Sequence, residues 1–221
     1  MTIYSKVSEK LIRNWNLYKR DFIWRHNPTP YKMMIAEFML QRTKANQVEP
    51  VFKEFLSKYP NVCGLGEARK IGVAKFTRHL GLHKRSDNFI KSAKYVIDKY
   101  RGKFPKNRKA LLEIPGVGDY VAGAILAVCF NKREYVVDSN IARFINRYYG
   151  LNLKGEIRRK RKIIEIAGRL FNYKNTRILL FSLLDFTALV CKPINPDHGN
   201  CVLNKTCGFV QKRVEGGKRR F

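Results

Sequence analysis

Apolar residues along this chain recur at intervals of three and four, and no run alternates at period two, so the pattern predicts helices and no sheet. Leu11, Trp15 and Tyr18 fall on one face behind Ser5 and Ser8, either of which suits a helix cap. Tyr31–Thr43 is apolar on nearly every side, which predicts a buried helix entered through Pro28 and Pro30. Further helices are expected over 47–58, 68–78, 86–100, 106–113, 121–130, 140–149, 156–171 and 176–191. The predicted fold class is all-α.

Charge adds a partner to this picture. The 221 residues carry 45 Lys and Arg against 17 Asp and Glu, a formal net charge of +28. A field of that size attracts polyanions, and nucleic acid is the default partner of a basic helical chain. The longest apolar stretch, Tyr120–Phe130, spans 11 residues, too few to cross a membrane, and no amphipathic anchor is evident. The N-terminus has no apolar signal core, so a cytoplasmic, nucleoid-associated protein of prokaryotic type without membrane contact is expected. Basic runs stand at Arg158–Lys162 and at Lys218–Arg220.

Four features carry candidate chemistry. In Ile114-Pro115-Gly116-Val117-Gly118, two glycines bracket one apolar residue between a short helix and a buried one. Such a turn directs amides and a helix N-terminus at a phosphate, although an ordinary helix–helix turn has the same letters. Glu37 is isolated among Met33, Met34, Ile35, Ala36, Phe38, Met39 and Leu40, with Gln41 one helical turn on. A carboxylate there either lines a pocket or is structurally paired, and Asp185 looks the same from composition. Asp138 precedes a helix, where capping alone explains it. Cys191-x6-His198-x2-Cys201-x5-Cys207 places four ligand-type side chains within 17 residues, a metal-binding pattern, whereas Cys63 and Cys129 lie far off.

Taken in order, these features resemble the helix-hairpin-helix DNA glycosylases of the endonuclease III and MutY superfamily. Asp21–Arg25, Pro30-Tyr31 and Ala36–Thr43 are similar to the N-terminal region of MutY-type members, and Ile114–Tyr120 to the family hairpin. Val137–Asn140 with Arg143 resembles the stretch holding the family's catalytic aspartate, and the cysteine block its iron–sulfur loop. The resemblance implies a six-helix barrel over 22–133 and a second helical domain, carrying the cluster loop, built from 1–21 and 134–221, with DNA in a cleft between them. It implies a monomer that flips a mispaired base out of double-stranded DNA. Asp138 would stabilise the cationic sugar, Glu37 would contact or protonate the base, and Gln41 with Arg42 would enter the duplex. Gly116, Val117 and Gly118 would hold a backbone phosphate.

Two departures sharpen the expectation. Bifunctional members carry a lysine where this chain has Tyr120, so base removal without strand cleavage is expected. His198 stands at the second cysteine position, so a 4Fe–4S cluster on Cys191, His198, Cys201 and Cys207 competes with zinc or an empty, degenerate loop. Only 14 residues follow Cys207, which leaves no room for the additional domain with which MutY proteins recognise oxidised guanine. Residues 137–150 and Tyr120 look closer to Mig-type mismatch glycosylases. Removal of thymine or uracil opposite guanine is therefore expected, ahead of MutY-like adenine removal and of a non-catalytic DNA-binding module.

Overall fold

In the computed structural model, which describes residues 2–81 and 86–211, every regular element is helical. The basic run at 218–220 lies outside the described residues. The chain divides into two compact units. The central unit is Asp21–Phe130, and the terminal unit joins the segment ending at Arg20 to the segment beginning at Asn131.

In the central unit the elements are α2 (Pro30–Leu40), α3 (Ala45–Lys58), α4 (Val62–Gly66), α5 (Lys70–His79), α6 (Ser86–Tyr100), α7 (Arg108–Leu112) and α8 (Asp119–Phe130). Thr29 starts α2 by accepting a hydrogen bond from the Lys32 amide at 3.2 Å, and Pro30 occupies its first position, where no amide hydrogen is needed. The predicted run to Thr43 is cut at Leu40, because Gln41 turns extended and Arg42 takes a left-handed conformation (φ 65°). Helix α2 packs on α3 and α8, and α6 on α4 and α5. Phe52, Phe55, Phe89, Met34 and Met39 fill the interior, with Phe55 and Phe89 rings 5.7 Å apart. Each such buried side chain contributes about 1.5–3 kcal/mol. Helix α4 escaped the periodicity analysis, since five residues including two glycines show no period; its start is set by Asn61, which accepts from the Gly64 amide at 2.9 Å.

The terminal unit contains α1 (Ile3–Arg13), α9 (Ser139–Tyr148), α10 (Arg161–Phe171) and α11 (Thr176–Leu189). Thr2, rather than Ser5 or Ser8, caps α1, and Ser8 instead is buried and donates to the Leu170 carbonyl at 3.0 Å. Trp15 lies past the end of α1 in a short 3-10 turn. Helices α10 and α11 both pack on α1 and α9. Leu11, Phe144, Phe171 and Phe186 form the core. Asn131 anchors the return of the chain: its amide donates to the Lys174 carbonyl, and its oxygen accepts from the backbone and hydroxyl of Thr176, each at 2.9 Å. The helix predicted from 156 begins only at Arg161. Gly155 (φ 72°) and the bonding of Glu156 to the Arg158 amide and guanidinium hold that stretch in turns.

Candidate active site

The glycine hairpin joins α7 to α8. Asn107 caps α7 through the Ala110 amide at 2.9 Å, and Arg108 reaches across to the Asp119 carboxylate at 2.9 Å and its carbonyl at 3.0 Å, tying both helix starts together. At Gly116 φ is 80°, and a Cβ there would meet Asn88 Cβ at 3.0 Å and Phe38 Cζ at 3.1 Å, so only glycine fits. Gly118 faces open space, and both glycines are exposed. Beneath them Ser92 of α6 donates to the carbonyls of Asn88 and Pro115, fixing the turn to its neighbour helix. An exposed, rigid turn leading into the N-terminus of a twelve-residue helix suits a phosphate.

Two candidate side chains meet in this same unit. Glu37 is buried on α2, and the hydroxyl of Tyr120, in the first turn of α8, donates to its Oε1 at 3.4 Å. That distance is long for an O–H···O bond, which is usually near 2.7–2.8 Å. Gln41, expected on the helix face of Glu37, is instead the C-terminal cap of α2, half-buried, and Arg42 beside it is exposed. The left-handed backbone at Arg42 costs roughly 1–3 kcal/mol in a residue with a Cβ, and such conformations concentrate at functional sites.

Asp138 belongs to the terminal unit and caps α9. Its Oδ1 accepts from the Ile141 amide at 2.7 Å and its Oδ2 from Asn140 Nδ2 at 3.0 Å. Asn140 in turn accepts from Arg143 at 2.8 Å. Burial pushes the Asp138 carboxyl above its ordinary value, while the bonds from Ile141 and Asn140 and the charge of Arg143 pull the other way. Capping is therefore real here, and it also holds the carboxylate in one orientation.

The cysteine loop does not form the expected metal set. Cys191, His198, Cys201 and Cys207 line one cavity with Phe144, Tyr148, Phe186 and Phe209, and His198 Nε2 is buried there without a hydrogen-bond partner. Yet among the described residues no group of three His, Cys, Asp or Glu side chains is placed to hold a metal ion. The His198 ring lies against Phe209 (centroids 5.9 Å apart), and Arg147 stands 3.8 Å from the Cys191 sulfur. Burial pushes the thiols of Cys191 and Cys201 up. What organises the loop is α9: Arg143 donates to the carbonyls of Thr187 and Cys191, each at 2.9 Å. Arg147 donates to those of Lys192 and Pro193, at 2.6 and 2.8 Å. The four side chains thus share one cavity without forming a ready ligand set among the described residues.

Glu37 and Tyr120 are thus adjacent, with Gln41, Arg42 and the Gly116–Gly118 turn in the same unit, whereas Asp138 stands in the other. Two supports were missed in the sequence. Asn140 and Arg143 form an i, i+3 pair behind Asp138, a spacing visible in the letters. Ser92 reaches Pro115 over 23 residues, for which no local signal exists.

Known proteins align with this architecture. A family model described as the HhH-GPD superfamily base excision DNA repair protein matches residues 35–169. The chain is 35% identical over 199 residues to a thymine/uracil-DNA glycosylase of Methanothermobacter thermautotrophicus, covering 90% of each chain. It is 31% identical over 210 residues to an adenine DNA glycosylase of Buchnera aphidicola, covering 94% of this chain and 60% of that one. A solved structure of a thermostable thymine-DNA glycosylase superimposes with a TM-score of 0.87 at 33% identity, over 95% of this chain and 97% of the other.

Proposed function

The chain belongs to the HhH-GPD superfamily of base excision DNA repair proteins, and we propose that it hydrolyses the N-glycosidic bond of thymine or uracil mispaired with guanine in double-stranded DNA. The observation that carries this reading is the end-to-end similarity, 90% of each chain, to a thymine/uracil-DNA glycosylase. The all-helical fold supports it, matching a thymine-DNA glycosylase along nearly its whole length.

Roles follow from the two units. In the central unit, the turn at Gly116, Val117 and Gly118 meets a backbone phosphate without reading sequence; its two glycines are exposed, while the Val117 amide is turned inward to the Ile114 carbonyl at 3.0 Å. Gln41 and the strained, exposed Arg42 enter the duplex where the target nucleotide has left it. Extruding a base costs a few kcal/mol, less when it is mispaired, which favours thymine opposite guanine over thymine opposite adenine. Glu37, beside Tyr120, donates a hydrogen bond or proton to the extruded base as it departs. In the terminal unit, Asp138 places negative charge against the sugar as positive charge develops on it. Water then bonds to the sugar's first carbon as the carbon–nitrogen bond breaks, and the water proton ends on the released base.

Tyr120 decides the second half of the outcome. A phenol packs against the nucleotide but forms no imine with the sugar, so the product is an abasic site in an uncut strand. The protein acts as a monomer on this reading. A base-release assay on duplexes containing T·G, U·G, A·G and A opposite oxidised G tests it. Thymine and uracil release from the first two is expected, and adenine release without either would replace this function by the adenine-specific one.

A further inference from the structure

The basic run before α10 has no place in the reaction just described. From Lys154 to Lys162 the chain carries six cations (Lys154, Arg158, Arg159, Lys160, Arg161, Lys162) and one acid, Glu156, and all six are exposed. Arg158 is paired with Glu156 and Arg161 with Glu165. Lys154, Arg159, Lys160 and Lys162 form no direct ion pair among the described residues, although Arg159 acts on Glu156 and Lys162 on Glu165 through space.

Their position is unfavourable for the fold alone. Helix α10 begins at Arg161, its N-cap Lys160 supplies no capping bond, and its first turn contains no acid. The positive end of an eleven-residue helix therefore faces a block of positive charge, where an Asp or Ser would stabilise it. The packing face of the helix, Ile163, Ile166, Ala167 and Leu170, needs none of these cations.

Two further features give the run a direction. Lys154 and Ile157 line a groove together with Arg143, Arg147, Asn152 and Phe209, so the positive strip adjoins a groove lined by two more arginines. At its other side Arg158 lies within electrostatic reach of Asp138, the carboxylate assigned to the sugar. An extended strip of exposed cations, one of them within electrostatic reach of that carboxylate, matches the form and sign of a phosphodiester backbone rather than a compact ligand.

We propose that the exposed strip Lys154–Lys162 is a second, sequence-independent contact with the DNA backbone, on the unit that carries Asp138 and separate from the glycine hairpin. It holds the duplex flanking the target nucleotide. This inference rests on the reading of duplex DNA as substrate, and its test separates the two.

The test compares a strip variant, Arg159→Ala/Lys160→Ala/Lys162→Ala, with a control losing the same charge from α1, Lys6→Ala/Lys10→Ala/Arg13→Ala. Affinity for a matched and for a T·G duplex is followed against salt by fluorescence anisotropy. If three phosphate contacts are lost, the slope of log K against log [salt] becomes shallower by about 2–3, and affinity at low salt falls on the order of 10- to 100-fold on both duplexes. The melting temperature of the strip variant should hold or rise, since cations leave a helix N-terminus. An unchanged slope, an equal change in the α1 control, or an effect seen on single-stranded RNA but not on duplex DNA would overturn the proposal. Base release by the wild type with an unchanged slope sinks the strip and spares the function. A shallower slope in a protein that releases no base does the reverse.

Discussion

Helices α2 and α11 are both apolar almost throughout, and each buries one carboxylate, but the two carboxylates are held in different ways. Asp185 on α11 has no exposed surface. It accepts from Arg20 Nε at 2.7 Å, from the Arg20 amide at 3.1 Å and from Trp15 Nε1 at 2.9 Å. Glu37 on α2 keeps 8% exposure, and its contact with the Tyr120 hydroxyl is 3.4 Å. Asp185 is locked by charge and by two further donors, and fastens the 3-10 turn after α1 to α11. For Glu37 the contact with Tyr120 is a long one and carries no charge. Burial alone marks neither as functional.

Exchanging amides for acids at the two positions gives the largest contrast. Glu37→Gln should lower base release by roughly 10²–10⁴-fold, the usual worth of a positioned acid or base, with stability changed by less than about 1 kcal/mol. Asp185→Asn should do the opposite, losing about 3 kcal/mol on urea unfolding. That value is at the low end for a broken buried pair because the Arg20 side chain is 31% exposed and turns to water. Equal stability losses in both variants would mean that Glu37 is a structural carboxylate like Asp185.

A third carboxylate sharpens the contrast, since Asp138 both caps a helix and is assigned to the sugar. Asn caps nearly as well as Asp, so Asp138→Asn should keep α9 while base release falls by roughly 10²–10³-fold. The raised carboxyl also fixes a sign. The folded chain binds this proton more tightly than the unfolded chain, so the residue's contribution to stability is greatest below the ordinary carboxylate value and is lost as pH rises through the raised one. At neutral pH Asp138→Asn should therefore melt no lower than wild type, and any advantage should vanish in acid. Wild-type base release should fall on acidification at a pH above the ordinary carboxylate range, because the ionised form is the working one. A variant that keeps full base release would leave Asp138 as a cap alone.

Tyr120→Lys is expected to have a smaller effect. It places an amine where strand-cleaving relatives carry one, and borohydride should trap some variant protein on mismatched DNA but no wild type. The gain should be modest, because Glu37 stands within reach and would hold the new ammonium in its protonated, unreactive form. Efficient trapping of the wild type would show that another lysine faces the sugar.

At the bottom of the scale is the loop after α11, where no metal dependence is expected. Arg143 and Arg147 hold its backbone, so anaerobically prepared protein should unfold at the same temperature with and without chelator. Arg147→Ala should lower that temperature slightly, corresponding to about 1 kcal/mol, because the half-buried Lys192 carbonyl loses its donor while the exposed Pro193 carbonyl turns to water. Stoichiometric iron with sulfide, or one zinc per chain, would restore the metal reading.

The sequence by itself determined what depends on neighbours a few residues apart. Apolar positions at 3.6-residue spacing placed the long helices. Two glycines around Val117 marked the hairpin, whose φ of 80° at Gly116 no other residue holds comfortably, and Asp138 before an amphipathic run marked a cap. The four-ligand spacing of the cysteine loop was equally legible, but spacing fixes which side chains can converge and not where Arg147 and Phe209 stand. Only the tertiary structure decided the fate of the buried acids. Arg20 meets Asp185 across 165 residues and Tyr120 meets Glu37 across 83, pairings set by which helices pack together. A carboxylate in an apolar run is the same pattern in either case, and its energy depends on donors that the local sequence does not contain.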